Sequence, residues 1–113
     1  MKIAIVGSRG ITNINLEKYI TKQILINVSE IVTGGAKGID TLAMQFARDN
    51  NLPCRIFLPE YSRYKKGAPL KRNELIANYC EEAYIFWNGK SKGTNHILNC
   101  FNKLNKKVNL FII

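Results

Sequence analysis

Acidic residues are scarce in this 113-residue chain: eight Asp and Glu stand against seventeen Lys and Arg, for a net charge of +9. That shortage favours anionic partners in general, without choosing among nucleotides, nucleic acid and membrane lipid. Histidine occurs once, at His96, and the sequence assigns it no Ser or Cys partner, so a nucleophilic triad cannot be built on it. The cysteines, Cys54, Cys80 and Cys100, form neither a close CxxC pair nor a Cys/His cluster. A zinc site, or any other metal site, is therefore not expected, and neither is a disulfide framework. Small buried hydrophobes in a reducing compartment are the reading that remains. No apolar run approaches the length of a bilayer. Met1 to Val6 is too short for a signal-peptide core before Gly7, so a cytoplasmic location without a membrane partner is expected. Low-complexity segments and solenoid-period repeats are missing. So are a Walker A loop and a GxGxxG after the first apolar run.

What is present is an ordinary globular composition, 46% apolar and 22% charged, long enough for one cored domain over residues 1–113. The stretch around which it is organised is Thr33-Gly34-Gly35-Ala36-Lys37-Gly38-Ile39-Asp40, which follows the apolar run Glu30-Ile31-Val32 and opens into Leu42-Ala43-Met44. Its glycines permit positive φ and close approach of backbone to a ligand. A helix starting there would add unpaired N–H groups and the positive end of its dipole, an anion cradle of the kind used for phosphate.

In order along the chain, Lys2 to Val6 reads as a strand. Asn15 caps a helix carried by Leu16, Tyr19, Ile20 and Ile24. Glu30 to Thr33 is a second strand, followed by a helix with Ile39, Leu42, Ala43, Phe46 and Ala47 on its buried stripe, ending at Asp49-Asn50-Asn51. Cys54 to Leu58 is a third strand closed by Pro59, and residues 60–68 form a basic, aromatic loop. Pro69 suits the first turn of a helix carried by Leu70, Leu75, Ile76 and Tyr79. Ala83 to Trp87, a helix with Ile97, Leu98, Phe101 and Leu104, and a strand from Val108 to Ile113 complete the chain. Near-continuous apolar strands alternating with helices imply an α/β fold, a three-layer doubly wound parallel sheet of about five strands in a Rossmann-like order 3-2-1-4-5. Ligands of such sheets sit at the strands' carboxyl ends, where the winding direction switches.

Three glycine-bearing loops fall at that switch. Gly7, Ser8 and Arg9 offer N–H groups, a hydroxyl and a guanidinium; Gly34, Gly35, Ala36, Gly38 and Asp40 form the central turn; Asn88, Ser91, Lys92, Gly93 and Thr94 precede the last helix. Asp40 is among the ligand-binding candidates and reads equally as a residue that caps or orients its own loop. Arg72 and Asn73 face sugar or phosphate, and Arg72 and Glu74 are the catalytic candidates should chemistry occur. Tyr61, Tyr64 and Trp87 are candidates to stack on a base. Nine of the seventeen basic residues, Arg9, Lys37, Arg63, Lys65, Lys66, Lys71, Arg72, Lys90 and Lys92, lie in or beside these loops.

Taken together, Val6-Gly7-Ser8-Arg9, the Thr33–Asp40 segment, Pro59 through Asn73, and Phe86 to Gly89 with Ser91 to Thr94 resemble the SLOG superfamily, and within it the YspA-type, cpYpsA-related domains. The resemblance spans nearly the whole chain and implies a Rossmann-like sheet holding a nucleotide-type ligand, with no further cofactor required. More distantly, the Thr33–Asp40 segment and Arg72-Asn73 before Leu75-Ile76-Ala77 look like DprA, which implies binding of single-stranded DNA. A third relative, the LOG-type phosphoribohydrolases, implies cleavage of the N-glycosidic bond of a nucleoside monophosphate. There the glycine loop is followed by glutamates, whereas Asn95, His96 and Ile97 follow Thr94 here. The expectation is thus a binder of a phosphate-bearing nucleotide or nucleotide-derived signal at the sheet edge. A DprA-like DNA module and a phosphoribohydrolase are the alternatives, and a homodimer is expected of an open sheet this small.

Overall fold

The computed structural model describes all residues, Met1 to Ile113. Five strands, β1 (Lys2–Gly7), β2 (Glu30–Thr33), β3 (Cys54–Ile56), β4 (Glu82–Trp87) and β5 (Lys107–Ile112), form one parallel sheet in the order β3-β2-β1-β4-β5. The chain is therefore an α/β Rossmann-like fold, with its winding switch between β1 and β4. Helices α1 (Lys22–Leu25), α2 (Ile39–Asp49), α3 (Tyr61–Tyr64), α4 (Ala68–Tyr79) and α5 (Lys92–Lys103) connect the strands. No helix is long and apolar enough to cross a membrane.

Successive side chains of a strand point to opposite faces, which is why β1 reads as an unbroken apolar run. Ile3 and Ile5 pack on one face with Ile31, Tyr84 and Phe86 beneath Ile39, Ala43, Phe46 and Ala47 of α2. Ala4 and Val6 pack on the other with Val32, Ala83 and Ile85 beneath Ile76, Ala77, Ile97 and Phe101 of α4 and α5. Burying both faces of the central strands is the main source of stabilisation, at roughly 25 cal/mol per Å² of apolar surface removed from water.

Three local expectations change. The helix expected after Asn15 is two short pieces, a 3-10 turn over Leu16–Lys18 and α1. Asn15 does cap, accepting from Glu17 N–H, but Thr21 takes extended backbone and its hydroxyl accepts from Ile24 N–H, restarting the helix one turn later. The apolar spacing is still served, since Leu16 and Ile20 are buried. The loop expected over 60–68 is largely helical: α3 and a 3-10 turn over Lys65–Gly67, started by Glu60, whose carbonyl accepts from Arg63 and Tyr64 N–H. Finally, α4 buries Ala68, Asn73, Ile76 and Ala77, while Leu70 and Leu75 are exposed. Small residues on the inner face let α4 lie close to α5, and the leucines fall on its flanks. Smaller shifts occur at strand ends: β3 stops at Ile56, although Phe57 N–H still donates to Thr33 O at 2.9 Å. Leu104 ends α5 as an exposed cap residue.

Candidate functional site

The loop after β1 is held by main-chain and hydroxyl bonds that also fix the loop after β4. Ser8 N–H donates to Phe86 O (3.0 Å), and the buried Ser8 Oγ accepts from Asn88 N–H at 3.1 Å and lies 3.4 Å from Thr94 Oγ1. Asn88 Oδ1 accepts from both Lys90 and Ser91 N–H, each at 2.9 Å. Trp87 Nε1–H donates to Ser91 O at 3.0 Å. Ser91 caps α5, its Oγ accepting from Thr94 N–H (3.3 Å) and Thr94 Oγ1–H (3.1 Å). The N–H groups of Lys92 and Gly93, first in α5, take no partner in the chain. They stand at the positive end of a twelve-residue helix.

The loop after β2 is arranged differently from the expectation of an open anion cradle. Asp40 Oδ2 accepts from Gly34 N–H (3.1 Å) and Ala36 N–H (3.3 Å), so the chain's own carboxylate occupies the concavity. Gly38 adopts φ +76°, and a Cβ there would sit 2.5 Å from Arg9 O and 2.6 Å from Ser8 O. The two loops cross so closely that only glycine fits. Burial pushes the Asp40 carboxyl above its ordinary value; the Ala36 N–H, the Arg72 charge and the Gly34 N–H pull it back without cancelling the effect. Its Oδ1 has no partner.

Arg72 stitches the far wall. One guanidinium nitrogen donates to Gly34 O (2.5 Å) and Phe57 O (3.2 Å), and Nε donates to Asn73 Oδ1 (3.0 Å). With its oxygen so engaged, the buried Asn73 amide donates to His96 Nδ1 (3.2 Å) and, more weakly, to Gly93 O (3.5 Å). His96 therefore accepts at Nδ1 and carries its proton on Nε2, serving as a structural partner of α4. Burial lowers the Arg72 pKa, with the Asp40 carboxylate acting against that shift.

These walls enclose a cavity of about 360 Å³. Of the sequence-derived candidates, Gly7, Arg9, Gly34, Ala36, Asp40, Arg72, Asn73, Asn88, Ser91, Gly93 and Thr94 line it. Ser8, Gly35, Gly38 and Lys92 do not: Ser8 lies behind the wall as a brace, Gly38 sits under the loop crossing, and Gly35 and Lys92 are exposed. Glu74 is off the wall as well, exposed and 3.9 Å from Lys71. Tyr61, Tyr64 and Trp87 are likewise off the wall; Arg63 and Lys71 stand over the Tyr64 ring. Gly10 of the β1 loop lines it too, and the floor and the α4 rim add Val6, Pro69, Leu70, Ile76 and Ile97, which the sequence did not single out for the site. For Leu70 the signal was its place one turn before Asn73 on α4, next to Pro69. No group of His, Cys, Asp and Glu is clustered closely enough to hold a metal ion.

Sheet order and cleft together define the chain as a Rossmann-like α/β domain whose glycine loops meet at the winding switch. The profile of the DNA recombination-mediator protein A family matches residues 1–59, the half that runs from β1 to the end of the β3 segment. The chain belongs to that family. Neither the curated proteins nor the solved structures give a significant match.

Proposed function

We propose that the cleft binds a phosphate-bearing nucleotide unit, with the phosphate at the start of α5 and the sugar toward Arg72 and Asn73. What supports this is the meeting, in one polar cavity, of unpartnered helix-start N–H groups, the Arg9 guanidinium and the hydroxyl cluster of Ser91 and Thr94. Its volume, about 360 Å³, suits a nucleotide-sized guest. In this reading Arg9 neutralises phosphate and Gly93 N–H donates to it. Exposed Lys92 adds attraction at longer range, and Gly35, Gly38 and Asp40 shape the loop that faces the sugar. The Ser91–Thr94 loop fits the resemblance to YspA-type domains, for which the guest would be a free nucleotide or nucleotide-derived signal.

A second reading is favoured by the family match and the +9 charge: the unit belongs to DNA, as the family's name suggests, and to a single strand, as the resemblance to DprA implies. N-glycosidic hydrolysis gains no support, because Glu74 is off the wall and Asp40 is committed to its own loop. Thermal-shift titration with nucleoside phosphates, dinucleotides and cyclic nucleotides, beside anisotropy with short and long oligothymidylates, tests both readings. Stabilisation by a free nucleotide without turnover supports the first. Affinity that rises with strand length and falls steeply with salt supports the second. Arg9→Ala should weaken either about tenfold. No response to any of these compounds, or wild-type affinity in Arg9→Ala, would refute the site.

A further inference from the structure

The cleft has two halves of different chemistry. Its polar half is made by the loops after β1 and β2, the Asp40 carboxyl and the start of α5. Its apolar half has Val6, Ile76 and Ile97 as a floor and Pro69 and Leu70 as a lip. The floor belongs to the core and is buried. The lip does not: Leu70 keeps 47% of its surface open.

Helical geometry explains why Leu70 is left uncovered. Residues three, four and seven apart on a helix share a face, so Leu70 stands on the flank of α4 that carries Asn73 and Ala77 in the following turns. Those two are 7% and 0% exposed, packed against α5 and the sheet. Leu70 lies one turn earlier, where the same flank borders the cleft. Leu75, the other exposed leucine of α4, falls on the opposite flank and does not line the cleft.

The polar side chains of the α4 wall are engaged within the protein. Arg72 donates to Gly34 O, Phe57 O and Asn73 Oδ1. The Asn73 amide donates to His96 Nδ1 and Gly93 O. Pro69 has no N–H to offer. Only Arg72 Nη2 is without a partner, and every base and every sugar offers it an acceptor. This wall therefore presents an apolar surface without a set of groups that could tell one base edge from another.

We infer that the Pro69–Leu70 lip seats the base of the guest, which lies with one face on Leu70, so that the site requires a base but does not select which one. This rests on the nucleotide reading of the cleft given above. With the phosphate at the start of α5 and the sugar beside Arg72 and Asn73, the base falls over the turn of α4 that precedes Asn73. A nucleotide then matches the cleft half for half, its charged end against the polar loops and its flat ring against the apolar lip. Contact between the ring and Leu70 removes apolar surface from water on both partners. Such contact is blind to base identity, because every base has a face of this kind. A sugar phosphate without a base would leave the lip as open as it is in the free protein.

Isothermal titration of the full chain with the 5′-monophosphates of adenosine, guanosine, cytidine and uridine, and with ribose 5-phosphate, tests this. The four nucleotides should bind within about threefold of one another and about tenfold more tightly than ribose 5-phosphate. Leu70→Ser should bring all four down to the level of ribose 5-phosphate, leaving the affinity for ribose 5-phosphate itself and the Tm unchanged, since the side chain is exposed. Leu75→Ser should leave every affinity as in the wild type. Should Leu70→Ser fail to fold, the wild-type comparison alone decides. Equal affinity for nucleotides and ribose 5-phosphate, a preference above about tenfold for one base, or undiminished nucleotide binding in folded Leu70→Ser would overturn the inference and leave the nucleotide reading standing. Absence of binding by all five compounds would overturn both.

Discussion

Replacing Arg72 separates a clamp from a ligand contact. In the free protein its guanidinium serves two carbonyls, Gly34 O at 2.5 Å and Phe57 O at 3.2 Å, and its Nε serves Asn73 Oδ1 at 3.0 Å. It thereby ties the ends of β2 and β3 to α4. Hydrogen bonds to a charged donor contribute about 1.5–3 kcal/mol each when buried, and about 1 kcal/mol when water can substitute. Arg72 is half-buried and Gly34 lies on the cavity wall, so its carbonyl can be rehydrated, while Asn73 is buried and loses its partner. Arg72→Ala should therefore cost about 2–4 kcal/mol, a fall in Tm of roughly 10–15 °C for a domain of this size. Arg72→Lys should recover part of this, because an ammonium reaches a carbonyl but lacks the second arm of the fork. The assay is urea denaturation followed by circular dichroism, with the slope unchanged so that the midpoint reports stability. A variant that melts within about 2 °C of the wild type would show that the three bonds are exchanged for water at no cost, and the clamp would be refuted.

Lys106 offers a second test: its ammonium donates to Ala77 O (2.7 Å), Asn78 O (3.2 Å) and Cys80 O (2.7 Å) at the carboxyl end of α4. Lys106→Met keeps the apolar stem and should cost about 1–3 kcal/mol in urea denaturation; an unchanged midpoint would mean that those carbonyls are satisfied by solvent. Gly38→Ala forces a Cβ onto the Ser8 and Arg9 carbonyls at φ +76° and should cost more than about 2 kcal/mol, with the proposed nucleotide binding weakened at the same time; wild-type stability would show that the loop crossing is loose. Asp40 holds its proton more tightly folded than unfolded. Its contribution is therefore full below roughly pH 3.9, the unfolded value, and is lost as pH rises through its raised folded value. Asp40→Asn should flatten that slope, read as the difference between the two stability–pH curves, and parallel curves would contradict the assignment.

How far the chain can be read without coordinates depends on the range of the forces involved. Strand and helix alternation was legible because both faces of β1, β2 and β4 are covered, which writes continuous apolar runs into the sequence. The 3-2-1-4-5 order then followed from connection rules. The meeting of the Gly7, Gly34 and Gly93 loops on one cavity followed in turn, since strand ends at the winding switch have nowhere else to go. Illegible were the side-chain choices made across the fold. Nothing local says that Thr21 will restart a helix that Leu16, Tyr19, Ile20 and Ile24 are spaced to continue. Nor does anything local say that Arg72 will spend its guanidinium on Gly34 and Phe57, thirty-eight and fifteen residues away. Asp40 is the most instructive case. Its place at the start of α2 reads equally as a ligand contact and as a brace, and only its distances to Gly34 and Ala36 N–H, 3.1 and 3.3 Å, decide between them. Once that carboxylate fills the β2 loop, the unpartnered N–H groups left on the cavity wall are those of the β1 loop at Arg9 and Gly10 and of the start of α5 at Gly93. On the proposed reading a phosphate is drawn to those groups, toward Arg9 and Gly93 and away from Asp40.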